Sequence, residues 1–312
     1  MSFPPKSQLW HCGIARVDID EFFARGGGDP ATSSFQKSDI VWLPMPGPWR
    51  YIADPFGIRQ GNSLFIFVEA YDYLTKKGTI HRYAFDASLR LLDVAPCLEE
   101  RTHLSYPFVF KFDGEFFMLP EQSRSGQLTL YRAKNFPDSW EPECVLMDNI
   151  PAVDPSLIEH DGRWWMFFSI AGERHRDRRE LHLASAAQLT GPWHIHPQSP
   201  IIENFTHGRP GGTPWKRSDG SIILPLQDCS ESYGGGLSFA KISRLDVDEV
   251  KIEPLDNYIE AKVFSEEWKD GTHTLSRCGD VTLFDVKKYL YSFGRYAVDI
   301  RRELTRLRRR AL

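Results

Sequence analysis

The hydrophobic pattern of this chain is a series of paired apolar runs, each pair hinged on two turn residues. YIADPFGIRQGNSLFIFVEA, residues 51–70, reads as a strand, a Gly61-Asn62 turn and a second strand ending at Glu69. LSYPFVFKFDGEFFMLPEQS, residues 104–123, repeats it with Asp113-Gly114 and ends at Glu121. AVDPSLIEHDGRWWMFFS (152–169) turns at Asp161-Gly162, and GRPGGTPWKRSDGSIILPLQDCS (208–230) turns at Asp219-Gly220 and ends at Gln227-Asp228. GTHTLSRCGDVTLFDVKKY (271–289) is a weaker fifth copy that turns at Gly279-Asp280. Asp-Gly between apolar runs is a strong hairpin signal, because the tight turn needs positive φ at both central residues.

Each of the first four hairpins is followed by a polar loop and a third strand: GTIHRYAFD, GQLTLYRAK, RELHLASAA and GLSFAKISR. Units of three or four antiparallel strands therefore start about every 50 residues, the size of a propeller blade. The pattern predicts an all-β, five-bladed β-propeller with a short C-terminal helix, and a β-sandwich is the alternative. The fifth copy lacks an outer strand of its own, so LWHCGIARVD (9–18) is expected to complete the last blade. The expected division is a propeller over 1–290 and a basic C-terminal helix over 291–312. The tail carries apolar Val298, Ile300, Leu304 and Leu307 among arginines; a packed or solvated helix is expected, with a membrane-surface or partner-binding arm as the other reading. Residues 22–38, which include Gly26 to Gly28, read as a mobile loop.

Composition narrows the partners. With 312 residues, 26% charged, and a formal net charge of -4, the chain offers no broad basic field for nucleic acid. Neither a secretion-type N-terminus nor an apolar run of roughly 18 residues is present, so a cytoplasmic protein without a transmembrane segment is expected. The five cysteines are scattered without a C-x-x-C pair and read as buried free thiols. YGGGLS (233–238) opens no helix and does not read as a phosphate loop.

In a propeller the first strand of each blade lines the axis, and first strands start where second strands end. Sorted this way, one end of the axis collects Asp54, Tyr106, Asp154, Arg209 and His273 from strand starts and Glu69, Glu121, Ser169 and Asp228 from strand ends. His103 and His207 sit just before first strands. Carboxylates crowded at one mouth repel each other and lose solvation, which marks functional sites. Taken singly, an Asp before Pro also closes a turn, and a Glu at a strand end also marks re-entry into solvent. The three histidines lack the spacing of a metal motif and read as polar pocket residues, so no metal is expected from spacing. Trp49, Tyr51, Trp164, Trp165, Trp215 and Tyr233 lie close to the repeats, where an exposed ring could stack on a sugar.

ADPFGI, VDPSLIEHDGRWWMFFS, GPWHIHPQSPI and GRPGG resemble the repeats of the five-bladed propeller glycoside hydrolases of families 32, 43, 62 and 68, over about residues 42–290. A more specific resemblance, carried by YPFVF, LPEQS and QDCS, is to the propeller that precedes the glycosyltransferase domain in glucosamine inositolphosphorylceramide transferases and bacterial relatives. No transferase domain is recognised in this chain. The hydrolase resemblance implies Asp54 as nucleophile or general base and Asp154 as the aspartate that orients the sugar or tunes the acid. The acid glutamate has no clear counterpart, and Glu121, with Glu69 second, is assigned by its place in the repeat. Glu69, His103, Tyr106, His207, Arg209, Asp228 and His273 are the expected substrate-binding residues. No cofactor is expected from the residues themselves; the resemblance allows a calcium ion in the channel near His273. Two functions follow: a glycosidase or transglycosylase, or a non-catalytic propeller that binds a glycan or glycolipid headgroup beside a glycosyltransferase partner.

Overall fold

The computed structural model describes residues 4–24 and 36–310. Five antiparallel sheets follow one another as blades. The first is Arg50–Gln60, Ser63–Asp72, Lys77–Phe85 and Leu91–Leu98; the second is Ser105–Phe112, Glu115–Glu121, Gln127–Asn135 and Ser139–Asp148. The third is Ala152–His160, Arg163–Ile170, Glu180–Ala186 and the short His194–Ile195, with Ile202–Glu203 also pairing on Glu180–Ala186. The fourth is Trp215–Lys216, Ile222–Asp228, Gly236–Leu245 and Val250–Ile259. In the fifth, Leu275–Cys278 and Val281–Tyr291 are joined by two N-terminal strands, Lys6–Ala15 and Ile40–Trp42. Lys6–Ala15 pairs along its full length with Val281–Tyr291, so the ring is closed by hydrogen bonds between the two ends of the chain.

The X-Pro pairs at the strand starts have a local physical role. Asp54, Tyr106 and Asp154 each precede a proline and adopt left-handed backbone, with φ of 53°, 46° and 49°. Each sits in a break of strand register, between Ala53 and Phe56, Ser105 and Phe108, and Val153 and Ser156. These are bulges in which the left-handed residue and its proline have no partner across the hairpin, and a bulge re-aims a side chain out of the pleat. The same irregularity that bends the strand turns three polar side chains toward the axis.

The fourth blade departs from the expected continuous first strand. Its ladder is Trp215–Lys216 plus a bridge from Pro210 to Leu226, because Gly211 is shared between Pro225 and Leu275 and Gly212 runs against the fifth blade. Gly212 bridges Leu275 with φ of 135°, and a Cβ there would lie 1.9 Å from the Leu275 carbonyl oxygen. Its N–H donates to Tyr106 Oη at 2.6 Å, tying the fourth blade to the second across the axis. Gly212→Ala is therefore expected to lower the thermal unfolding midpoint sharply, since a backbone atom cannot move aside like a side chain. A melt followed by circular dichroism that matches the parent would show that this seam is looser than described.

The expected mobile loop over 22–38 is corrected at its edges. Phe22 and Phe23 end a short helix, Ile19–Ala24, and bury among Trp215, Phe239 and Phe264 because apolar rings gain most in the seam between the fourth and fifth blades. Lys37–Asp39 forms a 3-10 turn into the last strand of the fifth blade. Residues 25–35, including the glycine run, lie outside the described residues. The C-terminal helix runs Gly294–Arg310. None of the described helices is long and apolar enough to cross a membrane.

Candidate functional site

The bulged residues and the ends of the second strands meet at one end of the axis as a buried acidic cluster. Asp54, Glu69, Glu121 and Asp154 are each 8% exposed or less. Arg209 and His273 are the buried basic side chains facing them.

Around Asp54 the network is closed. Its Oδ2 accepts the Tyr106 N–H at 3.2 Å, and its Oδ1 accepts the Thr274 hydroxyl at 3.0 Å and lies 3.5 Å from His273 Nε2. His273 Nδ1 is 2.6 Å from Asp285 Oδ2, and Asp285 also accepts the N–H groups of Asp54, His273 and Thr274. Trp10 from the N-terminal strand stacks on the His273 ring at 3.8 Å. Burial pushes the Asp54 carboxyl up to about 6, against the pull of His273. His273 is shifted upward, with Asp285 and Asp54 outweighing its burial.

On the other side of the axis, Arg209 gathers the acids. Its Nε donates to Asp154 Oδ2 at 2.7 Å, one terminal nitrogen lies 3.9 Å from Glu121 and the other donates to Asp177 at 3.0 Å. Gln227 Nε2 donates to the same Asp154 oxygen at 2.6 Å. Burial and the neighbouring Glu121 carboxylate push Asp154 up to about 7 despite Arg209. Glu69 is held well above the usual carboxylate range by burial and then by Asp54, Glu121 and Asp154. His103 accepts the Gly78 N–H on Nδ1, so its neutral form carries the proton on Nε2, 3.4 Å from Glu69. Burial lowers that imidazole to about 4. The cluster thus stores protons at neutral pH because its cations are too few to balance its carboxyls.

A roof covers this end. The loop at Glu173–Arg178, with left-handed Arg174 and His175, places Asp177 on Arg209 and the Arg178 guanidinium 5.7 Å from the centre of the Tyr233 ring. Arg209 lies 4.9 Å from the same ring, and Tyr233 meets His273 edge-on. Lys287, fully buried beneath, donates to the Tyr233 carbonyl and faces the Trp10 ring at 5.2 Å. Arg178 Nε is buried without a hydrogen-bond partner and lies 4.0 Å from Asp177 Oδ2.

Asp54, His273 and Asp285 bring ligand atoms within 4.8 Å of one another, the one candidate cation cluster among the described residues. It does not fit calcium. A hard cation of this kind takes six to eight oxygens, whereas the oxygens of both carboxylates already accept protein N–H and O–H donors.

A family model described as "Glucosamine inositolphosphorylceramide transferase 1, N-terminal" matches residues 43–276. The chain belongs to this family. It is 38% identical over 228 residues to glucosamine inositolphosphorylceramide transferase 1 of Oryza sativa subsp. japonica, covering 71% of this chain and 30% of the rice protein. The Arabidopsis thaliana protein of that name is 35% identical over 208 residues, covering 65% of this chain and 27% of its own. The chain thus spans less than a third of the length of these relatives. Among solved structures, an α-L-arabinofuranosidase from Podospora anserina in complex with cellotriose aligns with a TM-score of 0.57 at 13% identity, over 76% of this chain and 81% of that one. The catalytic domain of a Coprinopsis cinerea GH62 α-L-arabinofuranosidase aligns at 0.54 and 13% identity, over 78% and 93%. These likenesses establish the five-bladed fold.

The part of the chain matched to the glucosamine inositolphosphorylceramide transferase N-terminal family holds Asp54, Glu69, Glu121, Asp154, Arg209 and His273, which the structure brings together with Tyr106. His103 joins at the edge through Glu69. Asp228 does not join. Strand alternation points Gln227 to the axis and turns Asp228 outward, where it lines a rim cavity of about 370 Å³ with Tyr258, Glu260 and Lys269. His207 is also held off the cluster, bonded to Thr206 and facing Asp228. Sequence reasoning passed over Gln227, Thr274, Asp177, Lys287 and Asp285. Asp285 and Lys287 did carry a signal, as charges inside the apolar strand VTLFDVKKY of the fifth copy.

Proposed function

We propose that this propeller recognises the sugar-bearing polar part of a glycoconjugate at the acidic end of its axis, and holds it rather than cleaving it. The observation that carries this reading is the caging of Asp54. A nucleophile or general base needs a lone pair aimed at substrate, and both oxygens of Asp54 are engaged by Tyr106, Thr274 and His273. Protonated and ionised carboxyls side by side suit sugar hydroxyls, which both donate and accept. Tyr233 and the Arg178 guanidinium over its ring are the partners proposed for a sugar ring and for an anionic substituent. The names of the relatives direct attention to a headgroup of the inositolphosphorylceramide class as the ligand, with a glycosyltransferase as partner.

A second reading rests on the Asp154–Glu121 pair. A carboxyl raised to about 7 beside a second carboxylate is what a general acid needs near neutral pH. In that reading Asp54 attacks or activates water and the raised carboxyl, Asp154, protonates the leaving oxygen, a role that the repeat pattern had assigned to Glu121.

Calorimetric titration with inositol phosphate glycosides, run beside a hydrolysis assay on aryl glycosides, separates the two. Recognition predicts binding without turnover, a loss of about 10-fold or more in affinity for Tyr233→Ala, and retained affinity in Asp54→Asn. Glycoside turnover that disappears in Asp54→Asn would establish the second reading and overturn the first.

A further inference from the structure

The C-terminal helix docks with the wrong face inward. Arg295 lies 4.4 Å from the centre of the Tyr73 ring and donates to Ser7, while Arg302 donates to the Tyr73 carbonyl oxygen at 3.4 Å. Asp299 pairs with both arginines. Val298 is half-buried, but the other large apolar residues point away: Tyr296, Ile300, Leu304 and Leu307 are 48–62% exposed. They recur at i, i+4, i+8 and i+11, which is one continuous stripe along the helix. Solvent alone gives no reason to keep such a stripe.

Three observations specify what covers it. Residues 294–310 contain seven arginines against two carboxylates, whereas the whole chain is net acidic. The helix also closes a cavity of about 690 Å³ whose lining includes Lys76, Arg124, Arg302 and Arg306 against the single acid Glu303. Finally, the helix lies beside turns at the acidic end of the propeller. Lys76 lies in the turn just beyond the strand that carries Glu69, and Arg124 follows Glu121 by three residues.

We propose that this helix is an interfacial element that seats the acidic end of the propeller on an anionic lipid bilayer. The apolar stripe enters the acyl boundary, exposed Arg301 and Arg306 meet lipid phosphates, and the cavity beside the helix receives one headgroup. A helix with an apolar stripe flanked by cations and too short to span lies in the interface plane, and its hold combines buried apolar area with attraction to anionic lipid. The inference rests on the outside of the helix and is independent of what the axis binds.

Flotation of the full chain with vesicles tests it, using phosphatidylcholine alone and phosphatidylcholine with a third phosphatidylglycerol. The expected result is at least about 10-fold more protein on the anionic vesicles, falling steeply as salt is raised. The triple variant Ile300→Gln, Leu304→Gln, Leu307→Gln removes only exposed side chains, so its melting curve should match the parent while anionic binding drops about 10-fold. Equal flotation on both vesicles, or unchanged binding of the triple variant, would overturn the proposal. A dimer in sedimentation velocity that the triple variant dissolves, with no vesicle binding by the parent, would assign the stripe to a second copy of the chain instead.

Discussion

Replacing Arg209 with methionine is expected to destabilise the protein by about 3–5 kcal/mol at neutral pH, the range for removing one partner of a buried ion pair. The guanidinium is 6% exposed and is the group on which Asp154, Glu121 and Asp177 converge. Methionine fills similar volume, so the loss is electrostatic rather than a cavity. Asp154 and Glu121 would then face each other with Gln227 as the remaining donor to Asp154. Only proton uptake can relieve that repulsion, so the defect should shrink on acidification. Urea unfolding at pH 8 and pH 5.5 measures both values; a variant as stable as the parent at pH 8 would mean the cluster is not charged as described. The roof should loosen too, since Asp177 would lose its anchor, and proteolysis within Glu173–Arg178 should quicken.

The architecture was legible because a blade advertises itself locally. Paired apolar runs marked the hairpins, three of the five by Asp-Gly turns, and the alternation of strand directions sorted Asp54, Glu69, Glu121, Asp154, Arg209 and His273 to one end. That sorting fails where one residue of register matters: Gln227 and Asp228 are adjacent, and only the observed pairing of Gln227 with Leu237 fixes which of them faces inward. Nor could spacing anticipate that Asp54 is caged, because its partners Thr274 and Asp285 are more than 200 residues away and arrive only when the ring closes. The terminal helix is a different case. Its apolar periodicity was plain, but which face docks depends on Tyr73 and Ser7, far off in the sequence and offering polar and aromatic partners that arginines satisfy better than leucines do.

The acidic cluster is also expected to make the protein more stable at pH 6 than at pH 8. Asp154 and Asp54 titrate at about 7 and about 6 in the folded chain, and Glu69 is raised as well, whereas unfolded carboxyls titrate near 4. Between those values the native state holds more protons than the unfolded state, so stability falls as pH rises through the folded values. His273, raised by Asp285 and Asp54, acts in the same direction: its contribution is complete below about 6.5 and is lost as pH climbs through its folded value. Buried His182 and half-buried His11, His81, His103 and His207 are shifted down and oppose this below about 6.5, because the unfolded state then takes up protons that the native state refuses. The two sets act in opposite directions in mildly acid solution, and above about 6.5 the decline is left to the carboxyls and His273. Asp154→Asn mimics the protonated form at the most strongly shifted of the two aspartates, so the variant should lose part of the decline and gain relative stability at pH 8. Melting midpoints of both proteins from pH 5 to pH 8 decide the matter. A parent that becomes more stable toward pH 8, or a variant with an undiminished slope, would show that Asp154 is ionised throughout and that its partnership with Glu121 stores no proton.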